Sequence, residues 1–329
     1  MKRRAYRTLW AIAALAIAFV FPGAHVGAQN PAYRMMEDWA RVPQGFTWGQ
    51  IISVDVDVKG DVYVLQRCSS NTCVDRSEPP LLKFDAAGRQ LWSWGAGKTI
   101  YPHGMDIDRH GNIWLTDAQD NNGKGQQVFK LSPDGKVLMT IGTAGVAGDG
   151  QYTFNGVADI EVADNGDIFV ADGHVNNRIV KYSPDGKYIA EWGRKGIATG
   201  EFNMPHALAM DSQGRLFVGD RDNYRIQIFD QNGRFIDEWR QFGRPSGIYI
   251  DANDNLYVAA QNTKVNQDMV RGLYIGSARD GSVKSIIPNF NAESIAADRG
   301  GAIYSGQRVQ EGLQQESEDA LLRFVPIDP

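Results

Sequence analysis

The chain has 329 residues, of which 43% are hydrophobic and 22% are charged, and its formal net charge is −5 at pH 7. This composition is typical of a soluble globular protein with one large domain or two ordinary ones. The excess of acidic residues argues against nucleic acid as a partner, because phosphate binding needs a basic surface.

The N-terminal segment differs from the rest of the chain. Four basic residues within Met1–Arg7 precede an apolar run over Leu9–Phe21, and small residues follow up to Ala28. This pattern predicts a signal peptide over residues 1–28, and hence an exported protein, periplasmic or secreted, with no membrane attachment after cleavage. An uncleaved anchor is the alternative, but the apolar run is short for a spanning helix. Cleavage would leave 30 basic against 39 acidic residues.

Two cysteines lie close together in a loop rich in serine and asparagine. Cys68 and Cys73 are separated by four residues. In an exported chain such a pair predicts a disulfide that closes the loop. Two thiols alone would make a weak metal site.

An internal repeat organises the rest of the sequence. Each copy has an alternating strand, a turn with Gly or Asn, and a second alternating strand, and the copies cover residues 52–66, 103–117, 158–172, 206–220, 246–260 and 293–307. Third and fourth strands follow most copies, joined by turns such as Pro133-Asp134-Gly135. Four strands in each of six copies predict an all-β protein, a six-bladed β-propeller. A linear solenoid is the alternative, but these repeats lack its shorter period.

The two ends of the chain are predicted to close the ring. The sixth copy has only three strands, the last over residues 321–325, while Tyr33–Trp39 resembles a fourth strand. Pairing between them would complete the last blade and remove an open sheet edge. We therefore expect residues 29–329 to form a single domain.

The first residue of each copy should line the central channel. Around the ring these residues are Ile52, His103, Ala158, His206, Ser246 and Glu293. His103, His206 and Glu293 fall in alternate blades, about 120° apart around one axis, which suits a zinc ion with an open coordination position. Alternatively, the two histidines are polar residues that contact water or backbone carbonyls.

A second set of polar residues lies where the second strand of a copy ends. Arg67 and Arg221 follow that strand in their copies and would hold a substrate carboxylate bidentately, or form salt bridges with a neighbouring aspartate. His174 would act as a general acid or base beside a metal, or remain a solvated loop residue. Three aspartates at equivalent positions are expected to be structural and to bind backbone N–H groups: Asp117, Asp172 and Asp220.

Two stretches resemble known repeats. "ADGHVNNRIVKYSPDGKYIAEWG" and "VGDRDNYRIQIFDQNGRFIDEW" are similar to NHL repeats. The motifs "YPHG" and "MPHAL", with "GQIISVDVDVKGDVYVLQR" and "DRDNYRIQ", further resemble peptidyl-α-hydroxyglycine α-amidating lyase over most of the mature chain.

That resemblance implies a channel zinc held by three histidines, a structural calcium, and cleavage of the N–Cα bond of a C-terminal α-hydroxyglycine into an amide and glyoxylate. His103 and His206 match two zinc ligands. Arg67 matches the arginine that binds the substrate, and Arg221 matches an arginine near the active site. Val54 and Met105 match residues whose backbone carbonyls bind calcium.

The sequence departs from this family in two places. The last blade of the family presents a Met-Pro-His-Asp run with the third zinc histidine and a calcium carboxylate, where this chain has Asn291-Ala292-Glu293-Ser294. Glu293 can still bind zinc, whereas Ser294 carries no charge for calcium. The catalytic tyrosine of the family is replaced by His174, which moves a proton at a different reach and pKa.

Two functions follow as hypotheses. The first is a metal-dependent carbon–nitrogen lyase that resembles the amidating lyase and acts, as a monomer, on a small molecule or a peptide C-terminus. The second is a non-catalytic NHL propeller that binds a small ligand, a peptide or a partner protein at the channel mouth. A lactonase or esterase is disfavoured, because this ring is rich in histidine and related propellers of that kind hold calcium with Asp, Glu and Asn.

Overall fold

The computed structural model describes residues 33–36, 38–68, 71–261, 269–306 and 321–327. In these residues β-strands dominate, and they form six antiparallel sheets of four strands each. The predicted all-β, six-bladed propeller is confirmed. The predicted signal peptide over residues 1–28 lies outside the described residues.

The strands follow one another blade by blade, from the channel outwards. Blade one has β2 (Ile51–Val56), β3 (Val62–Gln66), β4 (Leu81–Phe84) and β5 (Gln90–Trp94). Blade two has β6 (Pro102–Ile107), β7 (Ile113–Asn121), β8 (Lys124–Leu131) and β9 (Val137–Ile141). Blade three has β10 (Asp159–Val162), β11 (Ile168–Asp172), β12 (Arg178–Tyr182) and β13 (Tyr188–Trp192).

Blade four has β14 (Pro205–Met210), β15 (Leu216–Asp220), β16 (Arg225–Phe229) and β17 (Phe235–Trp239), with a short 3₁₀ turn at Arg221–Asn223. Blade five has β18 (Arg244–Ile250), β19 (Asn255–Gln261), β20 (Gly272–Ser277) and β21 (Val283–Pro288). Blade six has β22 (Ala296–Ala297), β23 (Ile303–Gly306), β24 (Leu321–Pro326) and the N-terminal strand β1 (Tyr33–Met36).

The turn between the two inner strands shows why this repeat folds into hairpins. In blade two, one carboxylate oxygen of Asp108 accepts the backbone N–H groups of His110 and Asn112, both at 2.9 Å. Gly111 then takes a positive φ of 77°, which favours glycine. The same pair of bonds is made in blades one, four, five and six by Asp57, Asp211, Asp251 and Asp298.

The ring is closed by the two ends of the domain. β1 pairs antiparallel with β24, with Tyr33 opposite Pro326 and Met36 opposite Arg323. This confirms the predicted closure, although the strand ends at Met36 rather than at Trp39. Trp39 is instead 5% exposed and packs its ring against Tyr304 at a centroid distance of 5.0 Å. Trp39 also lies 6.1 Å from the ring of Phe84 in blade one, so the segment after β1 packs against both blades.

Two buried arginines fix the ends of the second strands. Arg225 in blade four is fully enclosed and forms an ion pair with Asp220 at 2.7 Å. It also donates to the backbone oxygens of Ala198 and Glu201 at 2.9 and 2.8 Å. Arg178 makes the same ion pair with Asp172 at 3.0 Å in blade three.

The aspartates at these strand ends also bind backbone N–H groups. Asp117 accepts from Ile100, Asp172 from Asn155, and Asp220 from Asn203. The expected structural role of these aspartates is therefore confirmed.

Cys68 and Cys73 form the predicted disulfide, with their Cα atoms 5.2 Å apart. The bond closes the loop that follows Arg67, at the end of β3. Among the described residues, no helix is long and apolar enough to cross a membrane.

Candidate functional site

Irregularities in the inner strands place the ring residues. In β6 the register shifts between Pro102 and Met105, and in β14 it shifts between Pro205 and Ala207. A bulge of this kind changes the direction in which the side chain of the extra residue points. His103 and His206 lie at these two bulges and line the channel, only 3% and 4% exposed.

His174 reaches the same place from a different element. It lies in the turn after β11, and a Cβ on Gly156 would come within 2.5 Å of the His174 Cβ. A Cβ on Gly173 would come within 1.8 Å of the Pro205 carbonyl oxygen. Two glycines are therefore required for this turn to approach the inner strands and bring His174 to the channel mouth.

The structure brings three imidazoles together. The centroids of the His103 ring and the His174 ring are 4.6 Å apart, those of His103 and His206 are 4.7 Å apart, and those of His174 and His206 are 5.4 Å apart. One ring nitrogen from each lies within 4.8 Å of the other two. Glu293 is not part of this group, although it lines the same channel.

Backbone carbonyls fix the tautomer of all three rings. The Nδ1 atom of His103 lies 2.8 Å from the Ala158 oxygen, that of His174 lies 2.9 Å from the Gly156 oxygen, and that of His206 lies 2.8 Å from the Ser246 oxygen. A carbonyl only accepts hydrogen bonds, so each Nδ1 carries the proton and each Nε2 keeps its lone pair. Orienting bonds of this kind are typical of metal-binding histidines.

The surroundings keep these imidazoles neutral. Burial is the main cause that lowers the pKa of His174 to about 4, and Arg221 and Arg67 lower it further. Burial and the other cationic groups likewise hold the pKa of His103 and His206 well below the usual value. Neutral imidazoles that each keep an Nε2 lone pair fit zinc, whose sites of this type use three protein ligands and one open position.

Arg221 adjoins this group from blade four. Its Nη1 lies 2.6 Å from the Nε2 of His206 and 3.6 Å from a carboxylate oxygen of Glu293. A guanidinium only donates hydrogen bonds, so the His206 lone pair faces Arg221. A metal can bind this Nε2 only when Arg221 turns away from it. The carboxylate of Glu293 lies next to Arg221.

Arg67 lies on the opposite side, after β3. It is 5% exposed, and its guanidinium carbon stacks 3.7 Å from the centroid of the Tyr101 ring. Its Nε donates to the Pro102 oxygen at 3.2 Å, next to His103. The predicted carboxylate-binding residues Arg67 and Arg221 therefore border the histidines from two sides.

Deeper in the channel the inner strands carry carboxylates. Asp55 accepts from the backbone N–H of Ile107 in the next blade, and Asp159 accepts from that of Leu208, both at 2.8 Å. Burial raises the pKa of Asp55 and of Asp159 to about 7. Burial and neighbouring carboxylates raise the pKa of Asp106 and Glu161 well above the usual value.

Calcium was expected at this depth through the backbone oxygens of Val54 and Met105. Both residues line the channel. Among the described residues, the histidines are the only group of three or more ligand side chains gathered closely enough for one ion. Ser294 replaces the expected carboxylate, and its buried hydroxyl has no hydrogen-bond partner in the described part of the chain. Calcium stays a prediction.

The channel carboxylates give a prediction about pH. Burial, and then the nearby carboxylates of Asp106, Asp159, Asp55 and Asp164, raise the pKa of Glu161, so in the folded protein it holds its proton to a higher pH than in the unfolded chain. As pH rises, the unfolded chain releases this proton at about pH 4, before the folded protein does. Between these two pKa values the free energy of unfolding of the wild type falls. Glu161→Gln removes this loss.

We therefore expect the free energy of unfolding of Glu161→Gln, relative to wild type, to increase between pH 5 and pH 8. The increase is about 1.4 kcal/mol for each unit by which the folded pKa exceeds the unfolded one. The buried histidines act in the opposite direction but are common to both proteins and cancel. Urea unfolding at several pH values measures the difference, and a constant difference would contradict the prediction.

Comparison with known proteins agrees with this architecture. The sequence profile of the NHL repeat matches residues 202–229, which run from just before β14 to the end of β16. Human NHL repeat-containing protein 3 is 31% identical over 267 residues, 78% of this chain and 74% of the human protein. The chain belongs to the NHL-repeat family.

A second relative carries an activity in its name. Peptidyl-α-hydroxyglycine α-amidating lyase 1 of Drosophila melanogaster is 34% identical over 220 residues. That match covers 58% of this chain and only 40% of the fly protein. Among solved structures, a streptogramin B lyase superposes with a TM-score of 0.55 at 14% identity, covering 89% of this chain and 97% of the lyase, which shows a shared fold.

The NHL-repeat sequence indicated most members of the site but not their grouping. His103, His206, Glu293, Arg67, Arg221 and His174 all lie at or near the channel mouth. The third histidine of the cluster is His174, which was expected to move a proton, and Glu293, which was expected to bind zinc, lies beside Arg221. The missing side chain of Gly156, just before β10, is the feature that lets His174 approach.

Proposed function

We propose that this NHL propeller is an exported, zinc-dependent carbon–nitrogen lyase that cleaves the N–Cα bond of an α-hydroxyglycine-type substrate. The products are an amide and glyoxylate. The observation that carries the proposal is the grouping of three imidazoles, His103, His174 and His206, with one ring nitrogen from each within 4.8 Å of the other two, between two arginines. Similarity to the fly lyase supports the same chemistry, and the Cys68–Cys73 disulfide supports export, because disulfides persist in oxidising compartments.

The reaction is an elimination without net oxidation or reduction. The substrate hydroxyl loses its proton, its oxygen forms the aldehyde of glyoxylate, and the N–Cα bond breaks with its electron pair left on nitrogen. That nitrogen then takes a proton and becomes the amide. The protein must therefore hold the carboxylate, polarise the hydroxyl and move one proton.

The channel-mouth residues divide these tasks. His103, His174 and His206 would hold zinc, which supplies a Lewis acid for a substrate oxygen. Arg67 and Arg221 bind the substrate carboxylate through the donors of their guanidinium groups. Glu293, buried beside Arg221, accepts the hydroxyl proton and returns a proton to the amide nitrogen.

The test begins with the wild type. Mature protein purified without added metal is expected to contain about one zinc per chain and to release glyoxylate from α-hydroxyhippurate. Elemental analysis and a coupled glyoxylate assay measure the two properties. Protein that is loaded with zinc and releases no glyoxylate, or that releases it equally well without metal, would refute the proposal.

Two variants then assign the roles of the third histidine and the glutamate. His174→Gln is expected to lose zinc, because a metal ligand is removed. Glu293→Gln is expected to keep zinc and to lower kcat by about 10² to 10⁴, the usual contribution of a general acid or base. The opposite result, zinc lost in Glu293→Gln and kept in His174→Gln, would restore Glu293 as the ligand and His174 as the proton-transfer group.

A non-catalytic binding propeller is the second candidate. The bond from Arg221 to the Nε2 of His206 favours it, because that lone pair then serves a structural contact. Purified protein that binds no zinc in equilibrium dialysis, yet folds normally, would select this function.

A further inference from the structure

A second cavity opens beside His174, separate from the channel. We call it the hairpin cavity. Its volume is about 370 Å³, within the usual range for a small-ligand site. Residues from blades two and three line it, among them Tyr101, Gln119, Asp120, Gln126, Asn155 and His174. His174 lines the hairpin cavity and also belongs to the histidine cluster, so the two sites adjoin at this side chain.

One wall of the hairpin cavity is an extended hairpin formed by β7 and β8 of blade two. Blades three and four lack this extension. β7 and β8 have nine and eight residues, whereas the equivalent strands of blades three and four have five each. The extension ends in a tight turn at Asn122 and Gly123, both with positive φ. Lys124 donates to the Gly97 oxygen at 2.8 Å and ties this turn to the preceding loop.

The side chains of the hairpin cavity are polar and partly fixed. Gln126 is 3% exposed, and its oxygen accepts the backbone N–H of Gly156 at 3.0 Å. Its amide nitrogen points to a carboxylate oxygen of Asp120 at 3.4 Å. Asp120 itself is exposed on the extended hairpin, so one negative charge stands at the opening.

The remaining walls suit an aliphatic chain. Val175 lines the rim of the cavity and is 57% exposed. The ring of Tyr101, on which Arg67 stacks, forms another part of the wall. Apolar surface of this kind can cover the methylene stem of a lysine or arginine while the charged end reaches a carboxylate. The carboxamides of Gln119 and Asn155 supply donors and acceptors for peptide groups.

We propose that the hairpin cavity binds the residue that precedes the cleaved bond and selects a basic side chain there through Asp120. This inference rests on the proposed function, because Arg67 and Arg221 then fix the carboxylate end of the substrate at the histidines. The opposite, N-terminal end must leave past His174. An acidic side chain in the same position would meet the Asp120 carboxylate and is disfavoured.

The test uses product amides, so that it measures binding without turnover. Acetyl-Ala-Lys-amide, acetyl-Ala-norleucine-amide and acetyl-Ala-Glu-amide are titrated into the full mature protein at low salt by NMR. The lysine peptide is expected to bind about fivefold more tightly than the norleucine peptide, the usual size of one exposed ion pair, and the glutamate peptide more weakly than both.

Two substitutions test whether Asp120 is the cause. Asp120→Asn should bring the lysine-to-norleucine ratio to about one, and Asp120→Lys should make the glutamate peptide the tightest. Asp185→Asn, in an exposed turn of blade three, is the matched control and should keep the wild-type ratio. A ratio near one in the wild type, or a ratio unchanged in both Asp120 variants, overturns the proposal.

The result also separates the two proposals. Glyoxylate release from α-hydroxyhippurate without a preference for the lysine peptide would overturn only the proposal that the hairpin cavity selects a basic side chain. An Asp120-dependent lysine preference in a protein without lyase activity would overturn the proposed reaction and leave the hairpin cavity as a site for basic peptides.

Discussion

His206→Ala is expected to remove both zinc and lyase activity. His206 offers one of the three grouped ring nitrogens, so its loss leaves only two imidazoles for the metal. Loss of a Lewis acid worth several kcal/mol corresponds to a fall in kcat/KM on the order of 10³. Zinc content and glyoxylate release from α-hydroxyhippurate are measured on the same preparation.

The control for this experiment is His110→Ala. His110 is an exposed histidine in the turn between β6 and β7, so its loss changes the number of imidazoles without touching the site. Zinc content and kcat/KM should equal those of the wild type. Full activity in His206→Ala would end the proposed mechanism, while the propeller would be unaffected.

Among the substitutions predicted to affect stability, Arg225→Ala is expected to lower the free energy of unfolding most. The substitution leaves Asp220 buried without its ion pair, and the backbone oxygens of Ala198 and Glu201 each lose one of their donors. Removing one partner of a buried ion pair costs about 3 to 5 kcal/mol. Urea unfolding followed by tryptophan fluorescence measures the change in the free energy of unfolding.

An exposed ion pair serves as the comparison. Arg89 pairs with Asp85 at 2.7 Å, but its side chain is 70% exposed. Arg89→Ala should cost less than about 1 kcal/mol, because water solvates both charges. Equal losses for Arg89→Ala and Arg225→Ala would show that burial of the Arg225 pair does not control stability.

The fold could be predicted from the sequence because its signal is repeated. A strand, a turn and a second strand recur six times, and the turn carboxylates that hold these hairpins, such as Asp108 and Asp251, are visible as residue types at fixed positions. The pairing of Tyr33 with Pro326 was predictable because the sixth copy lacked one strand. The end of β1 was not, because Trp39 is as apolar as a strand residue and packs into the core instead.

The site was only partly predictable, because its members come from two kinds of element. His103 and His206 occupy equivalent positions on inner strands, and the repeat aligns them. His174 belongs to a turn, and its approach depends on the space that Gly156 leaves. Repeat alignment assigns blades and strand positions, but it does not report how far a turn reaches towards the axis, so the grouping of His174 with His103 and His206 was not predicted.

The pairing of β1 with β24 has a consequence for how the molecule folds. Its partners lie about 290 residues apart in sequence, so joining them carries the largest entropy of loop closure of any strand pair in the propeller. Blades one to five can assemble from local contacts as the polypeptide is synthesised, whereas blade six must wait for both segments. Until they meet, the outer side of β24 is an unpaired strand edge, the type of surface on which chains aggregate. We therefore expect newly made protein to need protection until this last strand pair has formed.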